Sequence, residues 1–187
     1  MISLMSYWLP ILISAIFVFI VSSLIHMLFK YHSNDFIKVP SEDEVMDSLR
    51  KFNIPAGDYV VPYAGSAEAM KSEEFKEKVN SGPAIFMTVL PSGPQNMGKS
   101  LFMWFLYSIL IGILAAYITS RAVGPNPHYL DVFRFAGATS FIAYSIALLQ
   151  NSIWYKRKWS STLKSMFDGL IYAFVTAGTF GWLWPGM

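Results

Sequence analysis

Apolar and polar positions fall into long blocks along this chain. Residues 7–29, 98–120, 129–150 and 163–184 form four stretches that are apolar almost throughout. A helix needs roughly 20 mostly apolar residues to cross a hydrocarbon core about 30 Å thick, and each stretch meets that length. The pattern therefore predicts four membrane-crossing helices. The first is expected to remain as an uncleaved span, because no Lys or Arg precedes it and no A-x-A-like cleavage site follows.

Between the first two stretches the pattern changes. Ser41 followed by Glu44 has the spacing of a capping box. Val45, Met46, Leu49 and Phe52 then make an apolar stripe that predicts a helix over 42–52. Residues 58–63 and 84–90 read as short strands. Residues 72–80 read as a charged helix with Phe75 and Val79 on one side, stopped at Gly82-Pro83. The expected fold is an all-α membrane protein of four transmembrane helices, with a small α+β cytoplasmic insertion between the first and second. The corresponding domains are 1–29, 30–97 and 98–187. An insertion this small is marginal alone and is expected to pack on the membrane helices or on a partner.

Composition sharpens the class. Charged residues make up 14% and hydrophobic residues 54%, against about 25% charged in soluble domains. A net charge of +2 without a basic face gives no expectation of nucleic-acid binding. The absence of cysteine removes disulfides and thiolate sites. Lys30, Lys38, Lys99, Lys156, Arg157, Lys158 and Lys164 flank one set of helix ends, whereas the other set offers Arg121 and, within a helix, Arg134. Basic residues are retained on the cytoplasmic side. Both termini are thus expected in the periplasm and 30–97 in the cytoplasm. Tyr7, Trp8, Tyr117, Tyr129, Trp182 and Trp184 would lie at the outer interface, with Trp104, Trp154, Tyr155 and Trp159 at the inner one.

Ionisable residues inside apolar spans are costly and are default functional candidates. Here they are His26, Asp131, Arg134 and Asp168. At 1.5 Å rise per residue, Asp131 and Asp168 lie roughly 20 Å apart along the membrane normal, too far for one carboxylate pair. Asp131 and Arg134, three residues apart, can pair with each other, or Arg134 can contact an anion. Asp168 stands four residues after Lys164, a spacing at which the two are expected to pair, and at the level of His26, Gln150 and Asn151. That set either forms interhelical hydrogen bonds or handles an ion or proton. His32 and Asp35 lie just past the first span and are expected to be solvated. His26 has no second ligand at metal spacing, so no metal site is expected.

Residues 93–100, from Gly93 through Gly98, Lys99 and Ser100, match the Walker A pattern. The following helix is a membrane span, no Asp-ending strand succeeds it, and Pro94 removes a donor from the cradle. The match is read as false and no cofactor is expected, with Lys99 at the inner interface instead. No other catalytic constellation is present.

Small residues carry a packing signal. Gly169, Ala173, Ala177 and Gly181 recur every four residues, as do Gly112 and Ala116, while Ala136, Ser140, Ala143 and Ala147 form a similar stripe. Such stripes let membrane helices approach closely, so the third and fourth spans should form a tight hairpin. The loop joining them, with Trp154, Lys156, Arg157, Lys158 and Trp159, suits anionic lipid contact or a partner's edge.

Several runs carry a resemblance: residues 98–101 leading into Trp104-Phe105, then 134–137, 150–156, 168–173 and 181–185. Together they resemble a group of small bacterial inner-membrane proteins of unassigned function. The likeness covers most of the chain from the second span on, and 32–49 more loosely. It implies a bacterial inner-membrane location and no activity.

The function expected from these features is that of a non-enzymatic integral membrane protein, an accessory or assembly subunit. Its partners are the lipid bilayer and a larger membrane-protein complex or copies of itself. One alternative is a small oligomeric transporter or channel using the intramembrane polar residues. Another is a membrane enzyme acting on a lipid or quinone-like substrate, with His128, Asp131 and Arg134, or His26 and Asp168, converging on an apolar pocket.

Overall fold

The computed structural model describes residues 4–185. In chain order the elements are α1 (Trp8–Leu28), α2 (Glu42–Arg50), β1 (Gly57–Val61), α3 (Ala67–Met70), α4 (Glu73–Ser81), β2 (Ile85–Val89), α5 (Met97–Ala122), α6 (Tyr129–Tyr144), α7 (Leu149–Ile153) and α8 (Trp159–Leu183). They divide into two compact units, one comprising residues up to Phe36 and from Asn96 onward, the other Ile37–Gln95. The division departs from the 30–97 insertion expected from polarity, because residues 30–36 belong with the long helices. The side chains of that short segment explain this and are described below.

The first unit contains four helical segments long and apolar enough to cross a bilayer: Leu4–Leu28, Met97–Ala122, Tyr129–Ile153 and Trp159–Leu183. Pro10 falls in the first turn of α1, where its missing N–H costs no helical bond. Asn96 starts α5 by accepting a 3.0 Å hydrogen bond from the Lys99 amide at its side-chain oxygen. Helix α5 packs on α1 and α6, and α8 closes the bundle by packing on α6 and α1. Two buried clusters fill it. Ile11, Ala115, Ala116, Val132 and Phe180 lie in one, where the Tyr7 and Trp184 rings meet at 4.5 Å. Val18, Ile25, Ile111, Tyr144 and Tyr172 form the other.

The α6–α8 contact is the most extensive in the bundle. Ala136, Ser140, Gly169, Ala173, Ala177 and Gly181 are all buried along it. A Cβ built on Gly137 would come within 3.0 Å of the Ala177 methyl, and one on Gly181 within 2.5 Å of the Tyr129 ring. At Gly112 on the α1–α5 side a Cβ would stand 3.4 Å from the Ile11 Cα, a tight but tolerable fit. Of these three, the approaches at Gly137 and Gly181 are the ones that favour the absence of a side chain.

The third segment departs from the unbroken helix expected over 129–150. Helix α6 ends at Ser145 (φ −121°, ψ −52°), and a 3₁₀ turn, Ile146–Leu148, leads into α7. The buried Ser145 hydroxyl donates to the Met166 carbonyl of α8 at 3.0 Å. This interhelical bond is one that a regular continuation of α6 does not require. The small-residue stripe ends there too: Ala143 is half-buried and Ala147, beyond the break, is exposed.

In the second unit, β1 and β2 pair antiparallel, with Gly57 opposite Val89 and Val61 opposite Ile85. Ser72 caps α4 by accepting from the Phe75 amide at 3.2 Å, and Gly82, at φ +62°, ends it. The capping box expected at Ser41 does not form. Ser41 adopts a left-handed backbone (φ 49°) and its side chain makes no capping bond, whereas a serving N-cap is usually extended. No described residue of Ile37–Gln95 is fully buried. Within the unit the apolar stripe predicted over 42–52 goes largely uncovered, with Met46 47%, Leu49 45% and Phe52 71% exposed and Val45 half-buried.

Candidate functional site: a charged network beside an aromatic cleft

Asp168 is the most deeply buried charge of the helical unit, at 3% exposure. A lone carboxylate there would be prohibitively costly, so its partners define the site. They come from the short segment after α1. The Tyr31 hydroxyl donates to Asp168 Oδ1. His32 Nε2 lies 2.8 Å from Asp168 Oδ2, and His32 Nδ1 lies 2.7 Å from Asp35 Oδ2. Lys164, one turn before Asp168 on α8, donates to Asp35 Oδ1 at 3.1 Å and to the Tyr31 carbonyl. One imidazole therefore bridges two carboxyl groups, and the Lys164 ammonium stands beside one of them.

These contacts replace two sequence expectations. His32 and Asp35 are not solvated: they are drawn in as partners for Asp168 and Lys164. Lys164 and Asp168 do not pair with each other, since each finds a better-aimed partner on the 30–36 segment. Burial by itself would raise the Asp35 carboxyl, but the hydrogen bonds from His32 and Lys164 outweigh it and hold the group at about 2. The Tyr31 phenol is pushed up, by burial first and then by its hydrogen bond to Asp168.

Beside this network lies a cleft of about 660 Å³ between α1, α5, α6 and α8. Asp168 and His26 both line it, so the structure brings those two candidates to one place. His26 is exposed and its ring sits 4.9 Å from the His32 ring. The cleft walls are aromatic. The Trp104 ring lies 5.5 Å from Tyr107, 6.1 Å from Tyr144 and 5.7 Å from Tyr172. Trp104 Nε1 donates to Ser22 Oγ at 2.9 Å, and the Tyr107 hydroxyl donates to the Ala143 carbonyl at 3.0 Å. By contrast the buried Tyr172 hydroxyl has no partner among the described residues.

The remaining candidates lie elsewhere. Asp131 and Arg134 pair across 3.8 Å on an exposed face of α6. His128 caps that helix through Nδ1, which accepts from the Leu130 amide at 3.2 Å. Gln150 is exposed, and Asn151 gives its carbonyl to the Arg157 amide at 3.1 Å. Around the basic loop, Trp154 and Trp159 are 70% and 52% exposed, while Lys156 turns back to the Ile153 carbonyl at 3.0 Å. In the Walker-like run, the Lys99 amide is occupied by Asn96. The sheet preceding it has two antiparallel strands, unlike the parallel sheet of a phosphate-loop fold.

Tyr31, His32 and Asp35 were missed because they sit in a polar run that reads as solvated. The usable signal was Asp168 itself. A carboxylate within an apolar span demands donors at its own depth, and the residues just past α1 are polar and close to that depth.

No protein family, curated protein or solved structure matches this chain.

Proposed function

We propose that the chain is a non-enzymatic multi-pass protein of a bacterial inner membrane, acting as an accessory or assembly subunit of a larger membrane complex. The observation that carries this reading is that the Ile37–Gln95 unit does not cover its own apolar stripe: within it none of the described residues is fully buried, and Met46, Leu49 and Phe52 have no cover from the rest of the unit. A folded unit gains stability by covering such a stripe, and a partner protein supplies that cover. The network around Asp168 fits the same role. Its charges are engaged with one another, which suits a clasp holding the segment after α1 to α8.

Extraction in a mild detergent, followed by native electrophoresis and mass spectrometry, tests this. We expect the chain to migrate with at least one different membrane protein in fixed proportion. The pair Met46→Asp and Phe52→Asp should release it while the helical unit stays folded. Migration of the wild-type chain alone, as a monomer, would refute the proposal.

We place the termini in the periplasm and the basic loop at Lys156–Lys158 in the cytoplasm, on the strength of the Lys and Arg distribution. A single cysteine at Arg157 should then resist an impermeant thiol reagent in intact cells and react after permeabilisation. Labelling of intact cells would reverse the orientation.

A further inference from the structure

We propose that the cleft between α1, α5, α6 and α8 binds an uncharged amphiphile with a flat, carbonyl-bearing ring and an apolar tail, the chemistry of an isoprenoid quinone. Five observations converge on that class. The cleft, at about 660 Å³, falls within the range of small-molecule sites, roughly 300–1,000 Å³. Trp104, Tyr107, Tyr144 and Tyr172 are among its lining residues, and aromatic rings favour offset stacking with a planar head.

The polar groups are selective. The donors of Trp104 and Tyr107 are already used inside the protein. Tyr172 lines the cleft at 4% exposure with its hydroxyl unpartnered, and a buried hydroxyl without a partner is costly. The hydroxyl oxygen has almost no accessible surface in this structure, so a ligand carbonyl accepts from it only after a small shift of the cleft wall. His26, on the same wall, contacts the His32 ring and makes no hydrogen bond among the described residues. Its ring N–H can serve a second carbonyl.

Charge then disfavours anionic amphiphiles. No Lys or Arg lines the cleft, and Asp168 does. A phosphate headgroup would meet a carboxylate with no cation on the wall to hold it, whereas a neutral ring meets no such penalty. Met27, Met97 and Leu101 line the cleft and are 82%, 70% and 42% exposed, which provides an apolar rim for a tail.

This site does not depend on the accessory-subunit reading, and a chain that purifies alone could still show it. The test is calorimetric titration of the full-length protein in nanodiscs with a decyl-tailed dimethoxybenzoquinone. We expect saturable binding. Combining Tyr172→Phe with His26→Ala should weaken it at least tenfold without lowering the thermal midpoint by more than a few degrees. An excess of short-chain phosphatidylglycerol should not displace the quinone. Should the variant fold poorly, an azido derivative photolysed on the wild-type protein should label peptides containing Trp104 and Tyr172. Absence of saturable binding, equal affinity in the folded variant, displacement by phosphatidylglycerol, or labelling confined to other helices would each overturn the proposal.

Discussion

Replacing Gly169 with alanine should destabilise the helical unit by about 3 kcal/mol, at the upper end of what overpacking typically costs. A Cβ at this position would collide with Ser145 Oγ and stand 2.9 Å from the Tyr144 carbonyl oxygen. Neither obstacle is the free end of a flexible side chain. The first is fixed by its hydrogen bond to Met166 and the second is backbone. Relief therefore requires α6 and α8 to separate where α6 breaks. Gly178→Ala is the matched control on the same helix. Its Cβ would meet only the Tyr129 hydroxyl, at 4.0 Å, so that variant should melt within a degree or two of wild type. Thermal melts in detergent followed by circular dichroism decide between them. Equal midpoints for the two variants would show that the close approach at Gly169 carries no stability.

Asp168→Ala should have an effect of similar or greater size. Removing one partner from a buried ionic network costs roughly 3–5 kcal/mol, because the groups left behind stay desolvated. Here the Tyr31 hydroxyl loses its acceptor and His32 Nε2 loses its hydrogen-bond partner. The segment 30–36 should loosen, and amide exchange across it should rise well above that of α8. The double variant Asp168→Ala with His32→Ala should cost less than the sum of the two single changes; strict additivity would mean that the two groups do not interact. Acid offers a second handle on the same network. Asp35 is held at about 2 against an ordinary 3.8. Its folded-state value is the lower one, so its contribution is complete above about pH 4 and disappears as pH falls toward 2. Asp35→Asn should remove that part of the acid dependence.

The four apolar helices were legible in the sequence because length and composition alone carry that signal. So were the Gly169, Ala173, Ala177 and Gly181 stripe and the two strands of the second unit, since periodicity and turn residues are local. The break at Ser145 was not. Nothing in Ala143-Tyr144-Ser145-Ile146 marks a helix end, and the hydroxyl's acceptor is 21 residues away on α8. Ser41 failed in the opposite direction: the capping pattern is present, but the backbone before α2 takes a conformation that no local rule forbids.

The candidate site divides along the same line. Sequence by itself determined that Asp168 and His26 are polar residues within apolar helices and that such residues need partners. Which partners, and whether the two meet, depended on side chains 129 to 137 positions apart: Tyr31 and His32 against Asp168, and Asp35 against Lys164. The cleft likewise exists only because four helices leave space between aromatic side chains. Hydropathy is a sum over neighbours in the chain and can be read from one end to the other. Pairing of buried charges and the shape of a void depend on distances between separate helices, which only the packed bundle sets.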